Sequence, residues 1–183
     1  MDFEEKTIKR EQIFKGHVVE LVVDQVSLPS GQESTRELIL HRGAVGILAI
    51  TPEDKIILVE QYRKALEQTL IEIPAGKLEI EDKEPIACAA RELEEETGMR
   101  PGWLKPVYSF QGSPGFSNEV LHLFEAGDLV KVDNPLPADE DELFIQHEWT
   151  LAEAVQAIQT GKITDGKTII AIQYWQLSRL NNN

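Results

Sequence analysis

Cysteine is almost missing from this chain of 183 residues: Cys88 stands alone. An intrachain disulfide is therefore excluded, and the usage fits a reducing cytoplasm. Long apolar runs are missing too. None reaches the roughly 18 residues that a membrane-spanning helix needs. The opening Met1-Asp2-Phe3-Glu4-Glu5-Lys6 lacks the apolar segment of a secretory signal, so a cytoplasmic protein is expected. Positive charge is scarce, with 18 Lys and Arg against 32 Asp and Glu and a formal net charge of −14. A nucleic-acid backbone needs a basic patch, so that class of partner is excluded. Small anionic substrates stay compatible with such a chain when metal ions bridge them to its carboxylates. There is no internal repeat, and no low-complexity tract beyond Asn181-Asn182-Asn183.

A hydrophobic content of 42% is enough for one core, and the length suits one domain with an appendage. Residues 7–24 carry Ile8, Ile13, Phe14, Val18, Val19, Leu21, Val22 and Val23 in a strand-like pattern. Pro29-Ser30-Gly31-Gln32 reads as a turn, with a strand following at 37–40. Segments 44–50 and 55–61 read as a buried hairpin around Thr51-Pro52-Glu53-Asp54, and 71–73 as a strand running into a Pro/Gly turn. Strands are expected at 104–111, 120–126 and 144–149. A loop is expected over the acidic, Pro-containing 133–142. Helices are expected at about 84–97, at 150–160 with Thr150 as cap, and at 164–180 with Thr164 or Asp165 as cap. The last helix has Ile169, Ile170, Ile172, Tyr174, Leu177 and Leu180 as its apolar positions. Strands mixed with helices imply an α/β or α+β fold.

The helix at 84–97 is the most informative segment. Pro85 suits its first turn, Asp82 is a candidate N-cap and Gly98 a natural stop. Ile86, Ala89, Ala90, Leu93 and Thr97 form a stripe that would face a core. Glu92, Glu95 and Glu96 fall at i, i+3 and i+4, within an arc of about 100° on a neighbouring face. Like charges so placed repel, and a hard divalent cation with a taste for oxygen would relieve them. Glu94 projects away from the trio and reads as solvated. Taken alone, such a run is also what an ordinary exposed helix shows. Cys88 reads as a small buried hydrophobe, since a thiolate is a poor ligand for a hard cation.

Gly76, followed by Arg91-Glu92-Leu93-x-Glu95-Glu96-x-Gly98-Met99, resembles the signature of the Nudix hydrolases, Gly-x5-Glu-x7-Arg-Glu-U-x-Glu-Glu-x-Gly-U with U a large apolar residue. The first half departs from it: Asp82 stands where Glu is expected and the spacing to Arg91 is one residue longer, so Asp82 or Glu84 takes that place. The resemblance implies a Nudix-type α/β/α sandwich over 41–183, preceded by an antiparallel β subdomain over 1–40. It also implies Mg²⁺, or Mn²⁺, held by Glu92, Glu96 and the backbone carbonyl of Ala75, with Glu95 supporting. Arg91 would orient a signature carboxylate or form a simple i,i+4 pair with Glu95.

Glu60-Gln61-Tyr62-Arg63, Ile73-Pro74-Ala75-Gly76, Ser113-Pro114-Gly115-Phe116-Ser117-Asn118-Glu119 and Asp165-Gly166-Lys167-Thr168 further resemble the ADP-ribose pyrophosphatase branch of that family. Pro114 occupies the place of a proline associated with the branch. Asp139-Glu140-Asp141-Glu142 resembles its acidic loop, which would make Glu140 the general base and Glu142 a further metal ligand. Substrate contacts implied in the same way are Arg63 on a phosphate, Arg36 and Glu37 on the adenosine half, Glu119 on a ribose hydroxyl and Phe14 stacked on adenine. Phe14 reads equally as a core or interface aromatic, and Arg36 and Arg63 equally as strand-end charges. The branch commonly swaps its N-terminal strands, so a homodimer is expected. The implied reaction is hydrolysis of ADP-ribose to AMP and ribose 5-phosphate. A Nudix hydrolase for another nucleoside diphosphate sugar and a non-catalytic nucleotide-binding module are the alternatives.

Overall fold

The computed structural model describes residues 3–80, 82, 84–137 and 143–181. In chain order its elements are β1 (Lys6–Lys15), β2 (Glu20–Ser27), β3 (Glu33–Leu40), β4 (Ala44–Ala49), β5 (Lys55–Arg63), β6 (Gln68–Glu72), β7 (Ala75–Lys77), α1 (Pro85–Thr97), β8 (Met99–Arg100), β9 (Trp103–Phe110), β10 (Leu121–Gly127), β11 (Val130–Lys131), β12 (Ile145–Thr150), α2 (Leu151–Gln159) and α3 (Gly166–Asn181). The mixed α+β class expected from the sequence is what forms. The chain divides into two compact units, Met1–Gly43 with Phe110–Val120, and Ala44–Ser109 with Leu121–Asn183.

The first unit is built on the antiparallel sheet β1-β2-β3. Side chains alternate across a strand, and β2 accordingly buries Val22, Asp24 and Val26. Asp24 is a carboxylate in that buried row, and it is satisfied there. Arg10 grips it with Nε and Nη2, each at 2.7 Å, and the Thr7 hydroxyl donates at 3.1 Å. β1 is exposed along its whole length, Ile8, Ile13 and Phe14 included. The segment after β9 joins this unit at the end of β3: Ile39 N–H donates to the Phe116 carbonyl at 2.7 Å, and His41 N–H to Asn118 Oδ1 at 2.7 Å.

The second unit contains two larger sheets, β7-β4-β10-β9 and β12-β5-β6. The expected hairpin of 44–50 and 55–61 does not form as a ladder. Only an isolated bridge, Ile50 to Ile56, joins the two strands. A strand has two hydrogen-bonding edges, and both of these strands have theirs filled elsewhere: β4 by β10 and β7, β5 by β12 and β6. β4 is buried almost throughout and β5 from Ile56 to Val59, as strands sandwiched on both faces are.

Helix α1 packs on the β4 sheet, where Cys88, Ala89 and Leu93 meet Val45, Ile47, Ala49, Phe124 and Ala126. Its start and outer face differ from expectation. Glu84 is the N-cap residue, without a side-chain cap, and Pro85 opens the helix. Ile86 is exposed, because it lies in the first turn beyond the reach of the sheet. Glu94 is buried rather than solvated: Arg100 Nη2 donates to it at 3.0 Å and the Leu136 N–H at 3.2 Å. Two further expectations for the helices are met in part. Thr150 caps α2 in a reciprocal capping box with Glu153. Asp165 accepts the Thr168 N–H at the head of α3 at 3.0 Å. Along α3 the buried side chains are Thr168, Ala171, Ile172 and Trp175, while Leu177 and Leu180 are exposed.

Gly98 ends α1 at φ 68°, its N–H on the Glu94 carbonyl at 2.8 Å. A side chain in this left-handed region costs about 1–2 kcal/mol. Gly98→Ala is therefore expected to lower unfolding stability by about that amount in urea titration; an unchanged midpoint would contradict the cap's role.

Candidate active site

The site is organised where the chain passes from one large sheet to the other. β6 ends at Glu72 and β7 begins at Ala75. Across this step, three successive residues, Ile73, Pro74 and Ala75, are each held through the backbone by a different element. The Ile73 N–H donates to Thr168 Oγ1 of α3 at 2.8 Å. The Pro74 carbonyl accepts the Ile47 N–H of β4 at 2.8 Å. The Ala75 N–H donates to Glu96 Oε2 of α1 at 3.1 Å. Gly76 comes next and leaves room for Glu92: a Cβ there would lie 1.9 Å from the Glu92 carboxyl carbon, so that carboxylate would have to swing aside. The crossover thus lies directly against the acidic face of α1.

Arg91 organises that face. Its Nη1 donates to Glu95 at 2.7 Å, and its Nη2 lies 2.8 Å from Glu92 Oε1 and 3.4 Å from Asp82 Oδ2. Both readings of Arg91 hold at once, the i,i+4 pair and the orienting contact to a signature carboxylate. Its partial burial works against its charge, but Glu92 and Glu95 outweigh this and raise its pKa further. Asp82 is the acidic residue that reaches Arg91 from the irregular half of the signature. Cys88 is fully buried beside it, and burial, with Asp82 and Glu92 adding, pushes the thiol up to about 12.

The residues present suit a hard divalent cation. Glu92 packs against Gly76 and Glu96 accepts the Ala75 N–H, so two carboxylates, oxygen donors of the kind a hard divalent cation takes, lie along this turn. Among the described residues, no group of three or more His, Cys, Asp or Glu is drawn together as a ready ligand cluster. The carboxylates are instead spread over Arg91 and the Ala75 amide. Glu140 and Glu142 lie outside the described residues.

Arg63 does not stand alone at its strand end. Its Nε and Nη2 grip Glu72 at 2.7 and 2.8 Å. Glu72 is 1% exposed and also takes Lys167, whose Nζ lies 3.1 Å from Asp165. Burial raises the Glu72 pKa, but the two cations overcome it and hold the carboxyl below its ordinary value. The sequence reading passed over this network. Its signal was present: a carboxylate within Leu70-Ile71-Glu72-Ile73, an apolar strand where a charge needs partners.

The other expected substrate residues belong to the first unit. Arg36 and Glu37 are neighbours on β3 and so point to opposite faces. Arg36 is bound by Glu5 at 2.6 and 2.7 Å and by Ser34 at 2.9 Å. Phe14 is half exposed, with its ring over Gly16. Pro114 lies in the turn closed by the Ser117 N–H on the Ser113 carbonyl at 2.9 Å. Glu119 Oε1 lies 3.5 Å from His41 Nδ1, which accepts the Gly43 N–H.

Glu72, Glu94 and Asp24 all have carboxyl pKa values held below normal. Their stabilisation is present above the unfolded carboxylate value, near 4.5 for Glu, and is lost as pH falls through the lower folded values. The urea midpoint is expected to be flat from about pH 7 to 5 and to fall steeply below about 4.5; a midpoint constant down to about pH 3 would contradict these pairings.

The family model of the NUDIX domain matches residues 40–171. The methanol dehydrogenase activator of Bacillus methanolicus is 54% identical over 175 residues, covering 96% of this chain and 94% of the relative. The ADP-ribose pyrophosphatase of Bacillus subtilis strain 168 is 49% identical over 174 residues, covering 95% and 94%. A crystal structure of an ADP compounds hydrolase superposes with a TM-score of 0.84 over 98% of both chains at 19% identity, which bears on the fold. With the signature glycine, arginine and three glutamates assembled at one crossover, and with these relatives along nearly its whole length, the chain belongs to the NUDIX family.

Proposed function

We propose that this chain is a divalent-metal-dependent ADP-ribose pyrophosphatase that hydrolyses ADP-ribose to AMP and ribose 5-phosphate. The observation that carries the reading is the packing of Glu92 and Glu96 against Gly76 and Ala75. It is supported by the 49% identical relative named for that activity. Glu92, Glu96 and the Ala75 carbonyl would hold Mg²⁺, or Mn²⁺, joined by Glu142. Bound there, the metal supplies neutralisation of the pyrophosphate oxygens and a water of lowered pKa. The protein's own groups do the rest. Glu95 and Arg91 keep Glu92 in place, and Glu140 accepts the proton of the attacking water. A new P–O bond forms between the water oxygen and one phosphorus as that phosphorus loses its bond to the bridging oxygen, and the departing phosphate carries the bridging oxygen away.

Arg63 is the candidate for a substrate phosphate, its fork held in direction by Glu72. Phe14, Arg36, Glu37, Pro114 and Glu119 are the candidates for the adenosine and ribose groups. The exposed apolar side chains of β1 support a homodimer in which these strands meet a second copy. No described helix is long and apolar enough to cross a membrane, and the single cysteine is compatible with a cytoplasmic enzyme.

Glu96→Gln is expected to lower metal-dependent ADP-ribose turnover by at least about 100-fold while the protein stays folded. Gly76→Ala, which forces the Glu92 carboxylate aside, is expected to do the same. Production of AMP and ribose 5-phosphate is measured with Mg²⁺ and with chelator. Full activity of either variant, or wild-type activity in chelator, would overturn the metal reading. Metal-dependent cleavage of another nucleoside diphosphate sugar in preference would replace the substrate.

A second reading rests on the 54% identical relative: that the same protein serves as an activator of a methanol dehydrogenase. Adding wild-type protein and Glu96→Gln to a methanol dehydrogenase tests it. Stimulation by the wild type supports this reading, and no stimulation removes it.

A further inference from the structure

The head of α3 contributes no residue to the metal and substrate set above, yet it is joined to the crossover at two adjacent residues. Thr168 is fully buried, and its hydroxyl makes two bonds: it accepts the Ile73 N–H at 2.8 Å and donates to Asp165 Oδ2 at 2.6 Å. Lys167, one residue earlier, reaches back to Glu72 and lies 3.1 Å from Asp165. Glu72 and Ile73 are therefore fixed to α3 through one side-chain carboxylate and one backbone amide. Pro74 and Ala75 follow at once. Proline fixes its own φ, and the Pro74 carbonyl and Ala75 amide are bonded in turn to Ile47 and Glu96, so the placement of Ile73 bears on the segment that carries Ala75.

We infer that Thr168 and Lys167 are positioning residues: they set the crossover so that the Ala75 carbonyl, and the Glu96 carboxylate that the Ala75 amide holds, face one cation. The inference rests on the proposal that Ala75 and Glu96 hold a divalent metal. Asp165 acts one step further out, since it orients the Thr168 hydroxyl so that a lone pair faces Ile73. This assigns a purpose to Asp165-Gly166-Lys167-Thr168 beyond starting a helix. An ordinary N-cap would bond only its own helix, whereas this one also holds a segment about 95 residues earlier in the sequence.

The test is direct Mn²⁺ binding to nucleotide-free protein, by titration with free-ion detection, beside thermal unfolding. Wild type and Glu96→Gln first examine the metal reading: Mn²⁺ bound equally by both would refute that reading whatever α3 does. Thr168→Val keeps shape and removes the hydroxyl, and it is expected to weaken Mn²⁺ binding about 10- to 100-fold. Thr168→Ser should restore binding to near wild type. A purely structural role predicts a lower melting temperature with unchanged Mn²⁺ affinity in Thr168→Val, and that result would overturn the inference. Should Thr168→Val not fold, Lys167→Gln decides, because Arg63 still holds Glu72 there. Several-fold weaker Mn²⁺ binding supports the inference, and wild-type binding overturns it.

Discussion

Everything at the site depends on how residues 73–75 are held. The backbone there leaves one sheet and enters another, a place where polar groups would otherwise be buried without partners. Each of these residues is satisfied by a different element: Thr168 from α3, Ile47 from β4 and Glu96 from α1. Satisfying the backbone and aligning the acidic helix are the same event, because Glu96 is at once the acceptor of the Ala75 amide and a candidate ligand. Gly76 then allows Glu92 to close against the chain with no side chain between.

Charge is managed by a few well-placed cations. With an excess of carboxylates, the chain spends its arginines and lysines where negative groups are buried or crowded. Arg91 separates Glu92, Glu95 and Asp82; Arg63 and Lys167 neutralise Glu72; Arg10 holds Asp24; and Arg100 holds Glu94. Glu72 has two such partners, so losing one leaves it paired, whereas losing both would leave a buried charge without compensation, commonly a cost of about 3–5 kcal/mol. The same pairs leave the acidic face of α1 arranged rather than repelled apart, and that face is what a divalent ion would meet.

Much of this could be read from the residues. The spacing of Glu92, Glu95 and Glu96, the glycines at 76 and 98 and the proline at 85 placed the helix and its acidic face. The strand-like pattern along residues 7–24 placed strands there. What stayed hidden was long-range pairing. Two apolar segments separated by a turn look like a hairpin, and nothing local says that each will find both its neighbours elsewhere. Glu94 looked solvated because its partners, Arg100 and the Leu136 amide, lie beyond the helix end. Nothing local marks the part Thr168 plays, because its partner Ile73 lies far away in sequence. The acidic loop containing Glu140 and Glu142 was read by resemblance and lies outside the described residues.

The most direct measurement is a crystal structure of the protein soaked with Mn²⁺ and located by anomalous scattering. The account predicts Mn²⁺ bound to the Ala75 carbonyl and to carboxylate oxygens of Glu92 and Glu96, with residues 73–75 still on Thr168 and Ile47. Mn²⁺ bound only at other acidic surfaces, with this crossover untouched, would contradict it.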